Sequence, residues 1–260
     1  MKPSIAPLRK YLKAILVGLA FVAGLAAVTL LFPGARLLGH RVSEAVRGRI
    51  TVLWYRSVAR LLNLRIRCFG ELMPTPGLVV SNHVSWLDIV ALGSQAPLDF
   101  IAKREVADWP VVGYLGRRTG TLFVRRGDSH STRSTAEEMV WRLKRGRRLA
   151  LFPEGTSSSG EGVLHFHPRL FQPALMANLP VQAVAIAYRG AARPVAPFVG
   201  DDAFLPHLWR LLALERIDVD LIPCPPLTPG RFDRNALAQQ TRAQILSALE
   251  LQAPPLTLSA

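Results

Sequence analysis

Residues Ala14 to Phe32 run for 19 consecutive positions without a charge. A chain carrying such a run must bury it in a large core or place it in lipid. As a helix the run extends about 28 Å at about 1.5 Å per residue, close to the hydrocarbon thickness of a bilayer. Hydrophobic residues make up 50% of the chain and charged residues 19%, with a mean hydropathy of +0.23. Those values point to a membrane-associated protein. A secretory signal peptide has a shorter apolar region, so that reading ranks lower even with Ala26-Ala27 near the end of the run.

Arg9, Lys10 and Lys13 precede the run, and Arg36, Arg41, Arg47, Arg49, Arg56 and Arg60 follow it. Positive charge on both sides leaves the positive-inside rule nothing to choose between. The pattern fits a hairpin or tilted helix embedded from the cytoplasmic face. Residues 1–35 are therefore read as an N-terminal membrane-embedded helical anchor at the inner (cytoplasmic) membrane, with the rest of the chain facing the cytoplasm. A single crossing would instead put that remainder on the side opposite the N-terminus. Residues 36–63 place apolar positions at helical spacing among arginines. This segment is either an amphipathic interfacial helix whose basic face meets anionic headgroups, or a core-packing helix with a solvated face.

The formal charge is +14, from 32 Lys+Arg against 18 Asp+Glu. Such a balance implies an anionic partner, here a lipid bilayer with anionic headgroups or a phosphorylated substrate. No recognition helix, zinc spacing or basic stripe with interleaved aromatics favours nucleic acid. Cys68 and Cys224 lie far apart and in no metal-like spacing. They read as reduced thiols of a cytoplasm-facing domain, with a single disulfide as the alternative.

Beyond the anchor, at 64–250, β-like runs alternate with helical ones. Strands are expected at Leu64–Phe69, Leu78–Ser81, Leu98–Ala102, Gly120–Val124, Arg148–Phe152, Val181–Tyr188 and Ile217–Leu221. Helices are expected at Val84–Gly93, Pro110–Arg118, Ser131–Lys144, Pro168–Ala177 and Asp233–Leu251. The alternation predicts an α/β domain, a sheet flanked by helices. The last residues, 251–260, carry two prolines and no pattern, and read as a loose tail. Phe204 to Leu214, with Trp209 among leucines, reads as an interfacial element or as core.

Within this frame Asn82-His83-Val84-Ser85-Trp86-Leu87-Asp88 follows the second strand. Histidine is the usual side chain for taking a proton from an alcohol near neutral pH, and a nearby aspartate can fix its tautomer. A helix starting at Val84 or Ser85 would also put His83 at its positive end, which favours the neutral imidazole. Leu149 to Thr156 is an apolar strand running into a Pro-Glu-Gly turn, and Gly120 to Asp128 is a strand ending in Arg125 and Arg126. Ligands of such sheets gather at the carboxyl ends of the strands, where all three segments place their polar residues.

These three segments, in this order, resemble the glycerolipid acyltransferases, the 1-acylglycerol-3-phosphate acyltransferases and their relatives, over roughly Leu64 to Leu221. The resemblance implies an acyltransferase of membrane lipid (phospholipid) biosynthesis, moving a fatty acyl chain from acyl-CoA or acyl-carrier protein to the hydroxyl of a lysolipid acceptor. It implies no cofactor beyond that co-substrate. His83 is then the base and Asp88 its orienting partner. Arg126, Glu154, Gly155 and Thr156 contribute to binding the acceptor's polar head, an arginine fork suiting phosphate or carboxylate. The Gly155 N–H is a candidate oxyanion donor. Ser85 is grouped with these residues in a supporting role, because no Gly-x-Ser-x-Gly elbow marks it as a nucleophile. Arg125, Lys103 and Arg104 read as solvated charges.

Departures from the commonest family pattern bear on the acceptor. Ser157 stands where many phosphatidic-acid-forming members carry arginine, and His165-Phe166-His167 stands where they often have Pro-Phe-Lys. Leu179-Pro180-Val181-Gln182-Ala183-Val184 lacks the second proline of the fourth motif. Fewer cations near the Glu-Gly turn look more like the branch that acylates lyso-ornithine lipid. No third ligand accompanies His165 and His167, so no metal is expected. A non-catalytic lipid-binding or scaffold protein on the same fold is the rival reading, disfavoured by the intact His83 and Asp88.

Overall fold

The computed structural model describes residues 6–124 and 129–251. Arg125 and Arg126, and the tail from 252 on, lie outside the described residues. Seven strands form one sheet: β1 (Leu64–Cys68), β2 (Gly77–Ser81), β3 (Asp99–Lys103), β4 (Leu122–Val124), β5 (Arg148–Leu151), β6 (Val181–Arg189) and β7 (Ile217–Pro223). Each overlaps a run expected from sequence. The helices are α1 (Ala6–Ala26), α2 (Phe32–Leu37), α3 (His40–Leu61), α4 (Leu87–Gly93), α5 (Val112–Thr119), α6 (Ser129–Lys144), α7 (Gln172–Ala177), α8 (Phe204–Ala213) and α9 (Arg234–Leu251). The strand order is β1-β7-β6-β2-β5-β3-β4, parallel throughout except for the antiparallel pair β6 and β7.

Strand side chains alternate between two faces, and each face has its own core. Val79, Ala150, Val184 and Ile186 pack toward α1, α3, α4 and α8. Leu78, Val80, Leu149, Leu151, Ala183 and Ala185 pack toward α6, α7 and α9. β2 is buried along its whole length, which is why it reads as an unbroken apolar run rather than an alternating one. β2 lies between β5 and β6, parallel to both. The loops that leave the carboxyl ends of these neighbouring strands therefore meet.

The N-terminal segment folds back on itself. α1 continues through a π-helical turn at Ala27–Leu31 into α2. Leu8–Leu37 is long and apolar enough to cross a membrane. Gly39, at φ +99°, turns the chain into α3. α3 then runs back along α1: Trp54 Nε1 donates to the Ala20 carbonyl at 2.8 Å, and Trp54 packs edge-on to Phe21. Leu12, Ile15, Leu19, Val22, Leu30 and Leu31 remain exposed on this hairpin.

α3 packs into the core. Val52, Val58 and Ala59 are buried, and two of its arginines bond to other parts of the chain. Arg47 pairs with Glu44 and Asp99 and donates to the Thr119 carbonyl, while Arg56 donates to the Ser94 carbonyl. Arg142 and Arg147 also pair with Asp99, and Arg147 with Glu44. That cluster fastens α3 to the amino end of β3, the end of the strands opposite His83. Arg41, Arg49 and Arg60 are exposed.

One expectation needs correcting, and one segment left without secondary structure gains it. The helix after His83 starts at Leu87, not at Val84 or Ser85, and the amides of those two residues are capped by Asp88 from its first turn. Phe204–Ala213 is a full helix with Leu211 and Leu212 buried and Leu205 exposed. Pro206 in its first turn is compatible with this, since a proline there removes no helical hydrogen bond.

Candidate active site

At the end of β2 the chain leaves the sheet by an exchange of partners. Ser81 Oγ donates to the Val184 carbonyl at 2.6 Å. The Asn82 amide then takes both backbone groups of Ile186, donating through Nδ2 at 2.9 Å and accepting through Oδ1 at 2.8 Å. Asn82 thus supplies a rung of the β2–β6 ladder with its side chain, and the backbone is free to turn. His83 is the first residue beyond that rung.

The backbone of His83 is held on both sides by the loop after β5. Its N–H donates to Glu154 Oε1 at 2.9 Å, and its carbonyl accepts from the Ser158 N–H at 2.8 Å and from Ser158 Oγ at 3.2 Å. The ring stacks on Phe152, with centroids 3.9 Å apart and planes 14° from parallel. Its Nδ1 lies 2.8 Å from Asp88 Oδ2.

Asp88 is 0% exposed and accepts four hydrogen bonds. Oδ2 receives the N–H groups of Val84 at 2.8 Å and Ser85 at 2.9 Å besides the imidazole. Oδ1 receives the Tyr188 hydroxyl at 2.7 Å. Four donors on a buried carboxylate compensate much of its desolvation. An ionised aspartate has no proton to give, so the bond to Nδ1 puts the imidazole proton there and leaves a lone pair on Nε2. Nε2 makes no hydrogen bond among the described residues, and the side chain is 20% exposed. The result is an oriented imidazole with its basic nitrogen open.

Electrostatics maintain these roles. Burial, then the neighbouring Asp88 charge, raises the Tyr188 phenol well above its ordinary range, so it remains a donor. Burial also raises the Glu154 carboxyl, while the N–H bonds from His83 and Leu164 pull it down. Glu154 is 4% exposed, and its second oxygen, Oε2, accepts from the Leu164 N–H at 3.2 Å.

Comparison with known proteins decides what this site belongs to. Residues 65–187 match the family model described as Acyltransferase. The chain is 43% identical over 222 residues to the lyso-ornithine lipid O-acyltransferase of Pseudomonas aeruginosa, covering 85% of each chain. It is 36% identical over 176 residues to the 1-acyl-sn-glycerol-3-phosphate acyltransferase of Neisseria gonorrhoeae, covering 66% of this chain and 69% of that one. This chain belongs to the 1-acylglycerol-3-phosphate acyltransferase-like family. The crystal structure of the 1-acyl-sn-glycerophosphate acyltransferase of Thermotoga maritima shares the fold, with a TM-score of 0.68 at 22% identity over 95% of this chain and 98% of that one.

Not every residue expected at the acyltransferase site stands free to meet a substrate. Ser85 is 0% exposed, and its N–H is committed to Asp88; its hydroxyl faces the Tyr188 phenol without a partner in hydrogen-bond geometry. Both Glu154 oxygens hold backbone amides, which makes this side chain a strut between the two loops. The Gly155 N–H, the candidate oxyanion donor, instead donates to the Phe152 carbonyl at 3.0 Å, closing a turn in which Gly155 adopts φ +73°. Thr156 is exposed. Ser157 Oγ donates to the Phe198 carbonyl. Arg126 lies outside the described residues.

Phe152 and Tyr188 complete the site and were not singled out in the sequence. Phe152 sits two residues before Glu154, inside a motif already recognised. Tyr188 carries no local signal, since it reaches Asp88 only because β6 lies beside β2. No group of three or more His, Cys, Asp or Glu side chains gathers as a metal site among the described residues. Cys68 and Cys224 are free thiols.

Proposed function

We propose that this protein is a membrane-associated lysolipid O-acyltransferase whose preferred acceptor is lyso-ornithine lipid. The observation that carries the chemistry is the His83–Asp88 pair with Nε2 open. Nε2 takes the proton of the acceptor hydroxyl as its oxygen attacks the carbonyl carbon of an acyl thioester. The C–S bond then breaks with its electron pair going to sulfur, which takes the proton back from Nε2, and CoA or carrier protein leaves as the thiol. A thioester is already activated, so neither a covalent acyl-enzyme nor a resident cofactor is needed.

The acceptor reading rests on Ser157, which puts a hydroxyl bound to Phe198 where a phosphate-reading arginine often stands, and on the relative at 43% identity. 1-Acylglycerol-3-phosphate is the second reading, favoured by the Neisseria relative. The exposed apolar face of α1 and α2 supports embedding of the hairpin in the inner membrane from the cytoplasmic side, where acyl-CoA and acyl-carrier protein are found. The positive charge suits anionic headgroups and an acidic donor.

Purified protein in detergent, supplied with labelled acyl-CoA or acyl-carrier protein and either acceptor, tests this reading. Acylated ornithine lipid is the expected main product, and His83→Ala should abolish it. Retained transfer by His83→Ala would sink the mechanism. Faster acylation of 1-acylglycerol-3-phosphate would replace the acceptor and leave the mechanism standing.

A further inference from the structure

His207 lies outside the residues matched to the family model, yet it is 0% exposed and stands directly behind the catalytic loop. Trp86 Nε1 donates to its Nδ1 at 3.0 Å. Tryptophan can only donate, so Nδ1 must carry the lone pair and Nε2 the proton. Nε2 is 3.1 Å from both the Val195 and Pro197 carbonyls, which share that proton. A neutral imidazole of one tautomer satisfies every contact. Burial, reinforced by Arg210, lowers the His207 pKa below the ordinary histidine range, in keeping with that form.

Both partners of His207 lead to the site. Trp86 is the residue before α4 and lies two positions from Asp88 and three from His83. The 195–198 segment ends at Phe198, whose N–H donates to the Val84 carbonyl at 2.9 Å and whose carbonyl accepts from Ser157 Oγ. Phe198 also packs edge-on against the His207 ring, with centroids 5.1 Å apart. One imidazole on α8 therefore ties together the loop after β2 and the segment that clasps both Val84 and the turn after Glu154.

We infer that His207 is a positioning residue for acyl transfer, holding the His83–Asp88 loop through Trp86 and through the 195–198 segment. The inference rests on His83 and Asp88 as the reacting pair. It goes beyond that pair in placing a determinant of turnover on α8, about 120 residues away in sequence. His207 touches no reacting atom in this scheme. Its effect is on the placement of Nε2 of His83, and a displacement of about 1 Å can lower turnover a hundredfold.

The test measures kcat, acceptor KM and thermal midpoint for His207→Leu, His207→Gln, Trp86→Phe and His83→Ala in the full-length protein in detergent. His207→Leu should lose about tenfold to a hundredfold in kcat with acceptor KM within about twofold. His207→Gln, which offers one acceptor and one donor at similar spacing, should recover most of the loss. Trp86→Phe removes the shared bond from the other side and keeps the ring against Phe204, so it reads the same effect if His207→Leu fails to fold. Combined with His207→Gln, Trp86→Phe should cancel the rescue. The inference is overturned if Trp86→Phe and His207→Leu keep wild-type kcat while His83→Ala is inactive. It is also overturned if their losses appear only as a lower thermal midpoint. Activity in His83→Ala would bring down the reacting pair and this inference together.

Discussion

Phe152 lies flat against His83, with ring centroids 3.9 Å apart and planes within 14°. The stack closes one face of the imidazole, and the bond to Asp88 fixes its rotation about the other axis. A base held by both has its lone pair aimed before any substrate arrives, which is how positioning lowers a barrier. Phe152 directly follows β5, which lies beside β2, and His83 comes two residues after the end of β2. The parallel register of β2 and β5 is therefore the structural cause of the stack.

Phe152→Leu should keep the Asp88 bond and lose the flat contact. We expect kcat to fall about tenfold, equivalent to about 1.4 kcal/mol of barrier, with little change in acceptor KM. Steady-state kinetics at saturating acyl donor would check this. A variant with unchanged kcat would show that Asp88 alone orients the ring.

Tyr188→Phe removes one of the four donors on Asp88 and leaves the packing in place. A hydrogen bond to a buried charge contributes about 1.5–3 kcal/mol, so the thermal midpoint should drop measurably. Activity should fall less than in His83→Ala, because Nδ1 and two backbone amides still hold Oδ2. Kinetics and thermal unfolding of the same preparation separate the two effects. A variant as inactive as His83→Ala would mean the phenol does more than anchor the carboxylate.

The sheet was legible in the sequence because its strands are apolar runs or, in β1 and β7, runs alternating apolar with charged residues, each followed by a turn or a helix, and all seven appear where those runs fall. His83 and Asp88 were legible because they are local to one another. What escaped was contact made by topology. Tyr188 meets Asp88 across 100 residues, and His207 meets Trp86 across 121. Glu154 shows the same limit differently. Its motif marks it as important, but only coordinates reveal that both oxygens hold amides. The helix start was misplaced by three residues, and the amides of Val84 and Ser85 before it are capped backwards by Asp88 from within the first turn. The hairpin's apolar face was plain from composition, whereas the internal use of Arg47 and Arg56 was not.

Glu154→Gln tests the buried strut through pH. Burial raises the Glu154 carboxyl above its ordinary value of 4.5, so the folded protein binds this proton more tightly than the unfolded chain does. Stability from this group is therefore greatest at low pH and declines as pH rises from 4.5 through the raised value. Glutamine cannot titrate, so the thermal midpoint of wild type relative to Glu154→Gln should fall across that window and then level. The variant should also turn over more slowly, because its amide nitrogen opposes one of the two backbone N–H groups. Thermal unfolding at a series of pH values would check the slope. A rising difference would show that the carboxylate is stabilised by the fold, against the sign expected here.

Gly24→Val probes the hairpin that carries the exposed apolar face. A Cβ at Gly24 would stand 2.7 Å from Trp54 Nε1, inside any real contact distance, and that nitrogen is itself bonded to the Ala20 carbonyl. Either the indole gives up its bond or α1 and α3 part, and overpacking of this kind costs about 1–3 kcal/mol. Gly24→Ala should destabilise, Gly24→Val should destabilise further, and Trp54→Phe should lose the hydrogen bond while keeping the ring against Phe21. α1 and α3 pack into the same core as Val84 and α4, so any loss of kcat at low temperature should follow the same order as the loss of stability. Thermal unfolding in detergent gives the order, and equal midpoints for wild type and Gly24→Val would mean the hairpin is not packed through this glycine.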